Sequence, residues 1–208
     1  AIAVFAGVLA LSIYTSSLAD RPAATVGVPT EFRDQLSQNQ RNLLDGLMVL
    51  ESRPSDRDAI KQVADAYYGL HNESSNASYA QKGITYYSKL LEQDPDNTEV
   101  RTDMAVLYFY TGQTDQAIQG LSTVLQEEPE HLQANFNMGI FYWKGRTDYQ
   151  AAARQFTTVI DISKSSTDAH ADMIAEQALA NLEQIRTEAA AAGVTIDIDE
   201  GILTEGTI

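Results

Sequence analysis

The stretch TEVRTDMAVLYFYTGQTDQAIQGLSTVLQEEPEH, residues Thr98 to His131, decides the fold. Its first half places Met104, Ala105 and Tyr108 on one helical face, and Gly112 makes a turn. Its second half places Ala117, Leu121 and Val124 on one face, and Pro129 closes the unit. Apolar residues three and four apart, on both sides of a glycine break, describe two amphipathic helices packed antiparallel. Small Ala105 and Ala117 let the helices cross closely, and larger residues fill the space between them.

The same pattern recurs on both sides. A following unit from Leu132 carries Met138, Gly139, Tyr142, Ala152, Phe156 and Val159. Its turn, Lys144-Gly145-Arg146-Thr147-Asp148-Tyr149, is about one residue longer than the standard turn of such a repeat, and it lacks a closing proline. A preceding unit from about Arg57 carries Ala64, Tyr67, Gly83, Tyr87, Leu90 and Pro95, with a long polar connection expected over His71 to Ser78. Flanking helices are expected over 31–51, closed by Pro54, and over 167–192, stopped by Gly193. Self-similarity at a period of about 34 residues is the mark of a helical repeat array.

Ala105, Tyr108, Gly112, Ala117, Leu121 and Pro129 resemble the tetratricopeptide-repeat (TPR) signature, with Val124 where a small residue is usual. The resemblance implies an all-α helix-turn-helix solenoid wound as a right-handed superhelix. Repeats fall at about 57–95, 98–131 and 132–165 within a solenoid over 31–193. It also implies a concave groove lined by the first helix of each repeat. The positions carried over are Lys61, Asp65 and Tyr68; Thr102, Val106, Phe109 and Tyr110; and Phe136, Ile140, Trp143 and Lys144. Of these, Tyr68, Val106, Phe109, Tyr110, Phe136, Ile140, Trp143 and Lys144 are the expected partner-binding residues. Aromatic side chains on a concave surface are common binding hot spots, although at helical spacing they also serve as packing. Tyr67, Tyr108 and Tyr142 are assigned to the core. Asp65 stands where carboxylate-clamp TPR domains carry asparagine, and Asp103 adds further negative charge nearby, so capture of an acidic chain terminus by that mode is not expected.

Residues 1–19 carry no charged side chain and are almost wholly apolar. As a helix they would span about 28 Å, close to a bilayer's hydrocarbon thickness. Ser17-Leu18-Ala19 also fits a signal-peptide cleavage site. The preferred reading is an uncleaved transmembrane anchor, followed by a linker over 20–30 broken by Pro22, Gly27 and Pro29. That reading makes the protein single-pass and membrane-anchored, with its solenoid extracytoplasmic (periplasmic). Beyond Gly193 the alternation of Val194, Ile196 and Ile198 with Thr195, Asp197 and Asp199 suggests an extended tail over 194–208, lying on the last helices or adding to another chain.

The chain has 208 residues, 44% of them hydrophobic, and a formal net charge of −15. Such a charge disfavours phosphate backbones, so no nucleic-acid partner is expected. The absence of cysteine removes disulfides, thiolate metal sites and thiol nucleophiles. His71, His131 and His170 are dispersed without metal-ligand spacing. Asp94-Pro95-Asp96-Asn97 lacks the glycine and distal glutamate of a calcium loop and reads as a repeat junction. There is no phosphate-binding glycine loop and no nucleophile elbow. Asn72-Glu73-Ser74 and Asn76-Ala77-Ser78 are glycosylation sequons, a short pattern that arises easily by chance.

No enzyme and no cofactor is therefore expected. The chain reads as a membrane-anchored protein–protein interaction scaffold or accessory subunit of a larger membrane complex, taking a protein or peptide in its groove and sitting beside other membrane subunits. The alternative is an assembly factor. Asp148 to Ala152, after Phe136 to Ile140, resembles the TPR domains of bacterial cytochrome c biogenesis proteins, which implies binding of apocytochrome or other client polypeptides.

Overall fold

Three short segments, Arg53-Pro54-Ser55-Asp56, Asp94-Pro95-Asp96-Asn97 and Glu128-Pro129-Glu130-His131, punctuate the chain in the same way. In each, the fourth residue's N–H donates to the first residue's carbonyl, at 3.0, 3.3 and 3.0 Å. The fourth residue then caps the next helix. Asp56 accepts from the Ala59 N–H, Asn97 from Val100 and His131, through Nδ1, from Ala134. Proline ends one helix because it cannot donate, and the polar side chain starts the next by satisfying an orphan N–H.

A computed structural model describes residues 34–198. The described residues form α1 (Gln38–Ser52), α2 (Arg57–Ser74), α3 (Ala77–Gln93), α4 (Thr98–Tyr110), α5 (Thr114–Glu127), α6 (Leu132–Ile140), a π-helical turn (Phe141–Arg146), α7 (Tyr149–Lys164) and α8 (Ala169–Ala191). Together they make an all-α TPR-like helix-turn-helix solenoid. Helices α2/α3, α4/α5 and α6/α7 pack as hairpins, with α1 against α2 and α8 against α7. Inside the α4/α5 hairpin, Gly112 at φ 78° makes the turn, a conformation that costs glycine nothing.

The core runs along the stack in overlapping clusters. Ile60, Ala64, Tyr87, Leu90 and Leu107 form one, and Ala105, Ala117, Leu121, Val124 and Met138 the next. Trp143, Ala152, Phe156, Ile174, Ala178 and Leu182 close the C-terminal end. Each large apolar side chain sealed here contributes about 1.5–3 kcal/mol. Helices approach closely at small residues: a Cβ on Gly139 would lie 2.8 Å from the Phe156 ring, whereas one on Gly120 would lie 3.4 Å from the Ala105 Cβ.

The structure departs from the sequence reading in three respects. First, His71 to Ser78 is not a long connection. Helix α2 continues to Ser74 and α3 begins at Ala77, because Leu70 and His71 are buried and Asn76 caps α3 through the Ser78 N–H. Ser75 turns the chain at φ 54°. Second, the extra residue after Ile140 is absorbed as a π-helical turn that ends on Thr147 at φ 55°.

The third correction concerns the membrane. The transmembrane anchor over 1–19 falls outside the described residues, and no helix among the described residues is long and apolar enough to cross a membrane. The polar residues that alternate with the core positions interrupt every helix before such a span is reached. The transmembrane part of the fold, the single-pass membrane and periplasmic localisation and the membrane partner therefore have no structural support and are withdrawn.

Candidate protein-binding face

Helical periodicity aligns side chains on the first helix of each hairpin. On α2, Lys61, Asp65, Tyr68 and Asn72 lie along one stripe; on α4, Glu99, Asp103, Val106 and Tyr110 lie along another. The two stripes face each other. Asp103 is within electrostatic reach of Lys61, Asp65 and Tyr68, and Tyr68 is within reach of both Asp103 and Tyr110.

One end of this face is acidic. Lys61 Nζ lies 2.9 Å from Asp65 Oδ2, and the Tyr87 hydroxyl, reaching in from α3, donates to Asp65 Oδ1 at 2.8 Å. The same hydroxyl is within hydrogen-bonding reach of Asp103. Burial, and next the Asp65 carboxylate, push the Asp103 carboxyl up to about 6 against the pull of Lys61. Burial alone would lower the Lys61 ammonium, but Asp65, Glu99 and Asp103 together hold it above its ordinary value. Burial dominates at Tyr87, whose hydroxyl is held well above its usual range.

The other end is aromatic. Tyr110 is 49% exposed, and its ring packs 4.7 Å from the buried His71 imidazole. His71 Nδ1 is 3.1 Å from the Asn76 carbonyl, so the proton-bearing nitrogen faces the turn. Tyr68 is half-buried beside Asp103 and Tyr110, and its hydroxyl is pushed up to about 12 by burial, then by Asp103. Phe109 sits 6.2 Å from Tyr110 and stacks on Phe141 at 4.4 Å, which directs it into the repeat junction.

The structure separates the expected groove residues into two sets. Tyr68 and Tyr110 come together on the α2/α4 face, with Val106 buried and Phe109 turned into the junction against Phe141. Phe136, Ile140 and Trp143 are drawn toward α7 and α8 instead. Phe136 meets Phe156 edge-on at 5.5 Å, and Ile140 packs against the same cluster. Trp143 is 4% exposed and donates its indole N–H to Glu188 at 2.7 Å. Lys144 stays exposed, with its ammonium 3.2 Å from the Trp143 ring centroid and 3.6 Å from Glu188 Oε1. Thr102, a carried-over position, is buried and donates to the Thr98 carbonyl. Helical spacing counted back from Val106 and Tyr110 puts Asp103, already noted for its charge, and Glu99 on the same face; nothing in the sequence marks the contribution of Tyr87 from a second helix.

Among the described residues, no group of three or more histidine, aspartate or glutamate side chains is placed to hold a metal ion. Solenoids of this kind offer an extended surface suited to binding.

A tetratricopeptide-repeat family model matches residues 80–136, which spans α3 to the middle of α6. Solved structures share the fold. One described as a crystal structure of MamA superposes with a TM-score of 0.54 at 14% identity, covering 80% of this chain and 91% of its own. A MamA RS-1 ArsTM double mutant superposes at 0.56 with 16% identity, covering 87% and 92%. No curated protein matches the chain significantly by sequence. The resemblance to cytochrome c biogenesis proteins, and the assembly role it implied, are withdrawn. None of these comparisons supports them, and Asp148 to Ala152, on which they rested, is an ordinary helix start in which Asp148 caps α7 through the Ala151 N–H at 2.9 Å.

Proposed function

We propose that this protein is a non-catalytic interaction scaffold that binds a peptide or helix of another protein on the face formed by α2 and α4. The observation that supports this reading is the pair of facing stripes, in which the exposed Tyr110 and half-buried Tyr68 lie beside the partly buried Asp103 carboxyl. An exposed aromatic beside desolvated polar groups is the arrangement of an interface hot spot. Backbone groups of the helices are already paired, so recognition falls to side chains.

A photo-crosslinking amino acid placed at Tyr110 in the full chain should give discrete adducts that Tyr68→Ala suppresses. The same probe at Lys89, on the second helix of its hairpin, should give none of these adducts. Equal labelling from both positions would rule out the α2/α4 face as the binding site.

A further inference from the structure

The polarity of the α2/α4 face identifies what it binds. Its acidic end holds three carboxylates, from Asp65, Glu99 and Asp103, against the single ammonium of Lys61. Lys61 is committed to Asp65 by a direct ion pair. Asp65 takes the Tyr87 hydroxyl as well. Asp103 is left partly buried, facing Asp65 and Lys61 on α2, Tyr87 on α3 and Glu99 on its own helix, with more negative charge around it than positive. Further along the stripes, Tyr68, one place beyond Asp65, and Tyr110, two places beyond Asp103 and past the buried Val106, present ring surface.

We propose that this face takes a partner segment carrying a lysine or arginine beside an apolar residue, the cation entering between Asp65 and Asp103 and the apolar neighbour lying on Tyr68 and Tyr110. The proposal rests on the α2/α4 face being the binding site. Charge complementarity supports this occupant, because a cation supplies the counter-charge that Asp103 lacks. An arginine or lysine stem also covers ring surface while its head stays with the carboxylates. The chain's own residues 199–208 fit poorly, since they hold Asp199, Glu200 and Glu205 and no lysine or arginine. A second copy of the chain is opposed by its net charge of −15.

The test is NMR titration of the ¹⁵N-labelled full chain with N-acetyl-Phe-Arg-amide and, in parallel, N-acetyl-Phe-Glu-amide. At pH 7.5 the arginine probe should shift the amides of Asp65, Tyr68, Asp103 and Tyr110, and the glutamate probe should leave them in place. Lowering the pH to 5 should weaken the arginine probe by up to about tenfold as Asp103 takes up its proton. Asp103→Asn should weaken binding at pH 7.5 and flatten the pH dependence, and its unchanged spectrum elsewhere will show that it folds. Equal shifts from both probes would leave the binding face standing and overturn its preference for a cation. Shifts scattered over the acidic surface, and unaltered by Asp65→Asn or Asp103→Asn, would reduce the effect to bulk charge and overturn the proposal. If neither probe moves these four amides, the assignment of the face itself falls.

Discussion

The Trp143 indole N–H donates to Glu188 Oε2 at 2.7 Å, joining the end of the third hairpin's first helix to the last turns of α8. Lys144 stacks over the same indole and lies 3.6 Å from Glu188, and Gln184 donates to Glu188 at 3.0 Å. The chain's one tryptophan therefore ties α8 down and is not left open on the concave face.

This tie is visible to fluorescence. The Trp143 hydrogen bond, with help from Gln184 and Lys144, holds the Glu188 carboxyl below the usual glutamate range. A depressed folded value means the contribution is present above the unfolded value and is lost as pH falls through the folded one. Trp143 emission should thus be steady from neutral pH to about 4.5 and change below it. Glu188→Gln should abolish that acid transition. An identical transition in the variant would show that Glu188 is not its source.

Asp103 behaves with the opposite sign. Its carboxyl is raised from 3.8 to about 6, so its favourable contribution is complete below the unfolded value and is lost as pH rises through 6. Asp103→Asn should make the protein more stable at pH 7.5 by about 1–2 kcal/mol, allowing for partial solvent access. The gain should vanish below about pH 4, a comparison that urea denaturation at the two pH values makes directly.

Two glycines predict opposite outcomes for the same substitution. Gly139→Ala places a Cβ 2.8 Å from a Phe156 ring that is fully buried, and should cost about 1–3 kcal/mol. Gly120→Ala meets the Ala105 Cβ at 3.4 Å and should gain up to about 1 kcal/mol from helix propensity. Thermal melts of both variants check the pair.

Thr147 ends the π-helical turn at φ 55°, where a β-branched side chain is strained. Thr147→Gly should stabilise by about 0.5–1 kcal/mol, the steric relief exceeding the added chain entropy. Thr147→Val, equally branched, should show no gain. Chemical denaturation of the two variants separates this account from a loss of side-chain contacts.

How much the sequence discloses depends on how local the signal is. Ala105, Ala117, Leu121 and Phe156 read as core because their spacing within one helix is enough to place them, and all are buried. Repeat length alone predicts a long connection between α2 and α3, but Leu70 and His71 carry α2 a further turn. Trp143 occupies a groove position if the helix is α throughout. In the structure it sits in the π-helical turn and its indole is received by Glu188 on α8, a helix that no pattern within the repeat contains. The extra residue is countable from sequence, but its absorption as a π-helical turn is not. Asp103 gains its character from Asp65, Lys61 and Tyr87 on two other helices, which no single-helix pattern contains.

The strap after α8 gives the domain a mechanical polarity. Asp197 pairs with the Gln150 side chain through two hydrogen bonds, at 2.7 and 3.0 Å, and Ile196 and Ile198 pack on the terminal cluster. Each helix otherwise rests chiefly on its neighbours in the chain. Tension applied at the C-terminus would therefore peel the strap first, then meet the bond from Trp143 to Glu188, and only then strip α8 from α7. Because these fasteners are loaded in sequence and each repeat contacts only its neighbours, the array would give way one hairpin at a time, as a compliant spring and not as a brittle block.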